Sequence, residues 1–184
     1  MLEESLEGGV NAVQLREKDL GGKDLLDLAA KTRRLCERYN APLFINDRID
    51  IALAVDAAGV QLGKTSLPIE TARALLGPKK LLGLSIHSLE EVADAENGGA
   101  DFILFGPVYF TPSKARFGAP QGLSWLKKIV DVSTLPVYAI GGITAKNAVE
   151  VREAGARGIA LIAGIIAAEN PKDAASNIIR SLRN

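Results

Sequence analysis

Val137-Tyr138-Ala139-Ile140-Gly141-Gly142 is a short apolar run that halts at two glycines, and six further stretches of the chain are built in the same way. They are Val13-Gln14-Leu15 into Arg16-Glu17-Lys18, Leu43-Phe44-Ile45 into Asn46-Asp47-Arg48, and Val60-Gln61-Leu62 into Gly63-Lys64. Leu82-Gly83-Leu84 runs into Ser85-Ile86-His87, Phe102-Ile103-Leu104-Phe105 into Gly106-Pro107, and Ile159-Ala160-Leu161-Ile162 into Ala163-Gly164. Each reads as a strand whose polar or small residues gather at its C-terminal end.

The segments between the runs carry helical period. Leu25, Leu28, Ala29, Leu35 and Cys36 fall on one stripe of residues 22–39, as in a helix that covers a sheet. Ser88 with Glu91 reads as a capping box for a helix over 89–97, and Thr144 as the cap of a helix carrying Ala148, Val149, Val151 and Ala154. Asn170-Pro171 places proline at the first position of a last helix. Alternating strands and helices predict a parallel α/β sheet, and chemistry confined to strand C-termini predicts a TIM (β/α)8-type barrel. Only seven strands are encoded. The expectation is therefore a single barrel domain over 1–184, incomplete at its N-terminus, with the first strand upstream of Leu2.

The 184 residues carry 47% hydrophobic and 24% charged side chains with a formal net charge of zero, which gives no global pull towards nucleic acid or a membrane surface. No apolar run approaches the ~20 residues of a membrane span. The lone cysteine, Cys36, fits a reducing, cytoplasmic compartment. Oligomeric state stays open, with a homo-oligomer compatible with the sequence.

Side chains alternate across a strand, so Gln14, Arg16 and Lys18 share a face. Turned into a packed barrel they need a ligand to satisfy them, and a di- or polyphosphate suits arginine's fork and lysine's point charge. The alternative is a solvated strand end paired with Glu17 and Asp19. Asp47, close to such cations, matches the way Mg²⁺ is held by one carboxylate plus phosphate oxygens; alternatively Asn46-Asp47 only caps the next helix. His87 is the only histidine and is either an acid–base group or a polar strand end, with Ser85 on its face. Residues 106–121 form a long segment without helical period, which suggests a functional loop, and Thr111-Pro112-Ser113-Lys114 within it suits an anionic group. Gly141-Gly142 and Ala163-Gly164 end the last two strands, where barrels commonly grip phosphate through backbone N–H groups.

In order, Gln14-Leu-Arg-Glu-Lys18, Asn46-Asp47, Gly83-Leu-Ser-Ile-His87-Ser88, Gly106-Pro-Val-Tyr-Phe-Thr-Pro-Ser-Lys114 and Ala139-Ile-Gly-Gly-Ile143 resemble the thiamine phosphate synthase family and the related thiazole tautomerases of the TenI type. The resemblance covers nearly the whole chain. It implies a transferase of thiamine biosynthesis that joins 4-amino-5-hydroxymethyl-2-methylpyrimidine diphosphate to a thiazole phosphate and releases pyrophosphate. It further implies that Arg16, Lys18, Asn46 and Lys114 hold the pyrophosphate, Asp47 binds Mg²⁺, and Gln14 and Ser85 lie near the pyrimidine. Thr111 and Ser113, with backbone around Gly142, Ile162 and Ala163, would hold the thiazole phosphate. Where the synthases carry a further acidic metal ligand, this chain has Ser66. Two other readings remain: a metal-free tautomerase using His87, and a non-catalytic barrel that binds thiamine precursors.

Overall fold

The structure, a computed structural model, describes residues 1–112 and 119–183. Seven parallel strands form one sheet in the order in which they occur in the chain. They are β1 (Val13–Leu15), β2 (Leu43–Asn46), β3 (Gly59–Leu62), β4 (Leu81–Ile86), β5 (Phe102–Phe105), β6 (Val137–Ile140) and β7 (Gly158–Ala160). The helices are α1 (Leu2–Glu7), α2 (Gly22–Arg38), α3 (Ile49–Ala54), α4 (Ile69–Leu76), α5 (Glu90–Asn97), α6 (Gly122–Val132), α7 (Ala148–Glu153), α8 (Ala163–Ile166) and α9 (Pro171–Arg183). No helix among the described residues is long and apolar enough to cross a membrane.

The sheet is curled, and three aromatic rings show it. Phe44 of β2 packs edge-on against Phe102 of β5 with ring centroids 5.4 Å apart, and Phe102 packs likewise on Tyr138 of β6 at 5.7 Å. Three strand spacings across a flat sheet would separate β2 from β5 by about 14 Å. The rings therefore meet inside the curve, and they identify its inner face. The alternate residues Leu43, Ile45, Val60, Leu62, Ile103, Phe105 and Ala139 are buried to within 1% on the outer face, in the main core shared with the helices. Burial is shallower at the two ends of the sheet. Neither β1 nor β7 contains a fully buried residue. The helix layer joins those ends: Lys172 of α9 pairs with Glu7 at 3.1 Å, and Ser176 Oγ donates to the Gly8 carbonyl at 3.1 Å.

Two local expectations need correction. Ala163-Gly164 does not simply end a strand. Leu161 and Ile162 lie beyond β7, and Ala163 opens the one-turn helix α8, too short to leave a periodic signal. Thr144 does not cap α7; Asn147 holds the cap position, and its side chain instead ties the preceding turn by accepting from Thr144 N at 2.7 Å. Asn170 behaves as read, its Oδ1 accepting from Asp173 N at 3.0 Å.

Curling demands close approach between strands at Gly59. A Cβ there would sit 2.0 Å from the Leu81 carbonyl oxygen, a backbone atom of the adjoining strand. Gly59→Ala should therefore lower the urea midpoint at unchanged slope, the unfolding free energy falling by the roughly 1–3 kcal/mol of an overpacked site or more. A midpoint equal to that of the parent would contradict this account of the β3–β4 contact.

Candidate active site

The inner face turns polar immediately above the rings. In register, Gln14 lies beside Phe44, Asn46 beside Gln61, and Gln61 beside Gly83. Ser85 follows two residues after Gly83 on the same face. A chain of hydrogen bonds links these strand ends: Gln14 Nε2 donates to Asn46 Oδ1 at 3.4 Å, and Asn46 Nδ2 to Asp47 Oδ2 at 2.8 Å. Ser66 Oγ donates to Asp47 Oδ1 and itself accepts from Gly63 N at 2.6 Å. A further bond joins Gln61 Nε2 to Ser85 Oγ at 3.0 Å.

Asp47 occupies the left-handed region, with φ 61°. Aspartate tolerates this conformation better than most residues, and side chains forced into it often belong to functional sites. Its amide donates to the Gln61 carbonyl at 3.1 Å, which locks the strand end in place. Its carboxylate makes no bond to the amides that open α3, whose cap position is Arg48. Both its oxygens accept from neutral donors, and among the described residues no lysine or arginine pairs with it. The neighbouring Arg48 turns away to grip Asp50 in two bonds of 2.8 and 2.5 Å. Those bonds hold the Asp50 carboxyl below its ordinary value.

Arg16 and Lys18 follow β1 directly, and continuing its register places Arg16 beside Asn46. Gln14, Arg16 and Lys18 are all exposed, and β1 stands at one end of the described sheet. The solvated alternative is not realised as read, since neither cation forms an ion pair with Glu17 or Asp19 among the described residues. Glu17 instead accepts from the backbone amide of Lys18 at 3.1 Å.

At the end of β4, His87 Nδ1 lies 2.6 Å from the Gly106 carbonyl. That carbonyl only accepts, so Nδ1 is the donor in this contact. The His87 amide donates to the Glu91 carboxylate, and Gln121 Nε2 donates to the His87 carbonyl at 3.2 Å. These bonds tie β4 to both ends of the long connection after β5. Within that connection Thr111 is half-buried, whereas Ser113 and Lys114 lie outside the described residues.

Gly141 and Gly142 have φ of 100° and 64°. Their Cβ positions would fall 2.6 Å from Pro107 Cα and 2.5 Å from the Phe110 carbonyl oxygen, so glycine is required for the connection to pack here. Tyr109 N donates to Gly141 O at 3.0 Å, and Tyr109 OH donates to Glu150 Oε2 on α7 at 2.8 Å. Ile162 and Ala163 are exposed at the start of α8, and the Gly164 Cβ position lies 3.6 Å from the Ile143 carbonyl oxygen. The turns after β6 and β7 thus lie side by side.

A family profile described as "Thiamine monophosphate synthase" matches residues 1–165. The chain belongs to this family. It is 49% identical over 182 residues to a "Putative thiamine-phosphate synthase" of Geobacter sulfurreducens, covering 99% of this chain and 85% of the relative. It is 44% identical to the "Thiamine-phosphate synthase" of Methanobrevibacter smithii, covering 100% and 87%. Among solved structures, a thiamine phosphate pyrophosphorylase from Pyrococcus furiosus superposes with TM-score 0.91 at 41% identity, over 99% of this chain and 87% of that one. A 3-hexulose-6-phosphate synthase, with TM-score 0.66 at 17% identity, shares the fold alone.

Within the family frame, Asp47 is the residue suited to a divalent cation. Mg²⁺ demands few protein ligands when substrate phosphates supply oxygens, and a half-buried carboxylate without a cationic partner among the described residues fits that role. Among the described residues no cluster of three acidic, histidine or cysteine side chains could cage a metal unaided. Ser66 fixes the Asp47 carboxylate and adds no charge of its own.

The pairing of Tyr109 with Glu150 is open to direct test. Burial, then the hydrogen bond and charge of Glu150, push the phenol up to about 12. The folded value lies above the ordinary one near ~10, so the contact's contribution is complete below that pH and fades as pH rises towards 12. In an alkaline absorbance titration, one phenol should ionise late in the parent and earlier in Glu150→Gln. Identical titrations would remove the clamp.

Proposed function

We propose that the chain is a thiamine-phosphate synthase that joins 4-amino-5-hydroxymethyl-2-methylpyrimidine diphosphate to a thiazole phosphate and releases pyrophosphate. One observation carries this reading: a carboxylate held only by neutral donors, Asp47, stands at the strand end adjoining two exposed cations, Arg16 and Lys18. That set complements a diphosphate and its counter-ion. The relatives named as synthases favour this transfer over the tautomerase and the non-catalytic binder.

In the reaction, the bond between the pyrimidine methylene carbon and the diphosphate oxygen breaks, and its electron pair leaves with pyrophosphate. The thiazole nitrogen donates its lone pair to the resulting cationic carbon and forms the new C–N bond. Arg16 offers a fork of N–H donors to the departing oxygens and Lys18 a point charge, and Asn46 contributes its amide. Lys114 adds a third positive charge from the long connection. Mg²⁺, when bound at Asp47 together with phosphate oxygens, supplies further neutralisation of the leaving group.

Gln14 and Ser85 hold the pyrimidine over the ring floor of Phe44, Phe102 and Tyr138. Thr111, Ser113 and the backbone of Gly142, Ile162 and Ala163 hold the thiazole phosphate. Fixing both reactants at one rim turns capture into a local event. His87, with Nδ1 committed to Gly106 O, serves chiefly to anchor that connection.

Incubation with both precursors and Mg²⁺ should yield thiamine phosphate and pyrophosphate. EDTA should suppress turnover, and Asp47→Asn should lower kcat by at least ~100-fold, the scale of losing one charge-stabilising group at a reacting centre. Undiminished turnover in EDTA and in Asp47→Asn would overturn the metal assignment. Absence of product with fully folded protein would overturn the synthase reading.

A further inference from the structure

Gln61 was given no role by the sequence, yet its amide decides in which direction Ser85 can donate. It is one of the few buried polar side chains, 3% exposed, on the inner face between Asn46 and Gly83. Its Nε2 lies 3.2 Å from the Leu62 carbonyl and 3.0 Å from Ser85 Oγ. The Leu62 carbonyl can only accept, so the atom facing it must be the amide nitrogen rather than the amide oxygen. Both N–H hydrogens are then committed, one to Leu62 O and one to Ser85 Oγ. Because the serine oxygen accepts from Gln61, its single hydrogen points elsewhere. Among the described residues no protein acceptor takes it.

Packing holds the amide in this orientation. A Cβ at position 83 would lie 2.2 Å from Gln61 Oε1 and 2.3 Å from the Phe102 ring, so the amide is seated in the notch that Gly83 leaves beside the ring floor. The same residue's backbone carbonyl accepts from the Asp47 amide at 3.1 Å. Gln61 thus joins the anion-facing half of the rim to Ser85.

We infer that Gln61 is a positioning residue for the proposed reaction: by donating to Ser85 Oγ it presents the serine hydroxyl as a hydrogen-bond donor to an acceptor atom of the bound heteroaromatic ring. The inference rests on the reading of this rim as a pyrimidine site. An unprotonated ring nitrogen only accepts, and it would be opposed by a serine whose hydrogen was spent on the protein. Gln61 therefore favours rings that bring an acceptor to Ser85, and it acts without touching substrate.

Binding of 4-amino-5-hydroxymethyl-2-methylpyrimidine, followed by calorimetry, tests this separately from turnover. Gln61→Glu keeps the shape but replaces the donor with a carboxylate that draws the Ser85 hydrogen to itself; Gln61→Met removes the amide. Each, like Ser85→Ala, should weaken pyrimidine binding roughly tenfold to a hundredfold, as expected for one lost directed hydrogen bond at a buried site. Inorganic pyrophosphate with Mg²⁺ should bind each variant as it binds the parent. The double variant Gln61→Met/Ser85→Ala should bind the pyrimidine no worse than Ser85→Ala alone, because both changes remove the same contact. Multiplying losses in the double variant, parent-like binding by Gln61→Glu, or no pyrimidine binding by the parent would each overturn the inference. Coupled pyrimidine binding without formation of thiamine phosphate would sink only the synthase reading.

Discussion

The parallel register that sets Asn46 beside Gln61 and Gln61 beside Gly83 is the constraint on which the rest of the site depends. Side chains alternate with a period of two, so a slip of one residue in any of these strands would send its polar residue into the helix-facing core. With the register kept, the inner face has two layers. Phe44, Phe102 and Tyr138 form the floor, with Gln14 level with Phe44 and Gln61 adjoining the Phe102 ring at Gly83, and Asn46 and Ser85 stand nearer the strand C-termini. The apolar floor is what makes the polar layer useful. The amides and hydroxyl beside it are bonded to one another, Gln14 to Asn46 and Gln61 to Ser85.

Electrostatic character then follows from which groups are left without a partner. Some surface charges are paired, among them Arg48 with Asp50, Lys80 with Asp56, and Arg73 with Asp101. At the rim, Arg16, Lys18 and Asp47 form no ion pair among the described residues, although both signs of charge are present. Neutral donors from Asn46 and Ser66 fix the direction of the Asp47 carboxylate without cancelling its charge. A diphosphate accompanied by a divalent cation answers both kinds of unpaired charge at once.

Much of this was legible in the sequence because each strand announces its end. Each of the seven apolar runs overlaps a strand, and Gln14, Asn46, Asp47 and Ser85 stand out as polar residues at or near those ends. Other features were not legible, for physical reasons. Periodicity tells which face Arg16 and Lys18 share but not how far that face is covered, so a packed and a solvated strand end both stayed open, and the structure shows both side chains exposed. A one-turn helix such as α8 has no period to read. Thr144 and Asn147 are both competent caps three residues apart, and only the turn geometry chooses between them. Gln61 passed unremarked because Val60 and Leu62 flank it, although Val13-Gln14-Leu15 has the same form and its glutamine drew attention. A polar residue repeated at the centre of two apolar triplets was the available signal.

The most direct test of the central claim, that one rim gathers the anion-binding and carboxylate groups into a diphosphate site, is a crystal structure of this chain grown with Mg²⁺ and pyrophosphate. The account predicts pyrophosphate oxygens within hydrogen-bond distance of Arg16 and Lys18, with the cation on Asp47 and on those same oxygens. Pyrophosphate bound away from the ends of β1 and β2, or bound there with Asp47 uninvolved and still turned to Ser66 and Asn46 alone, would contradict it.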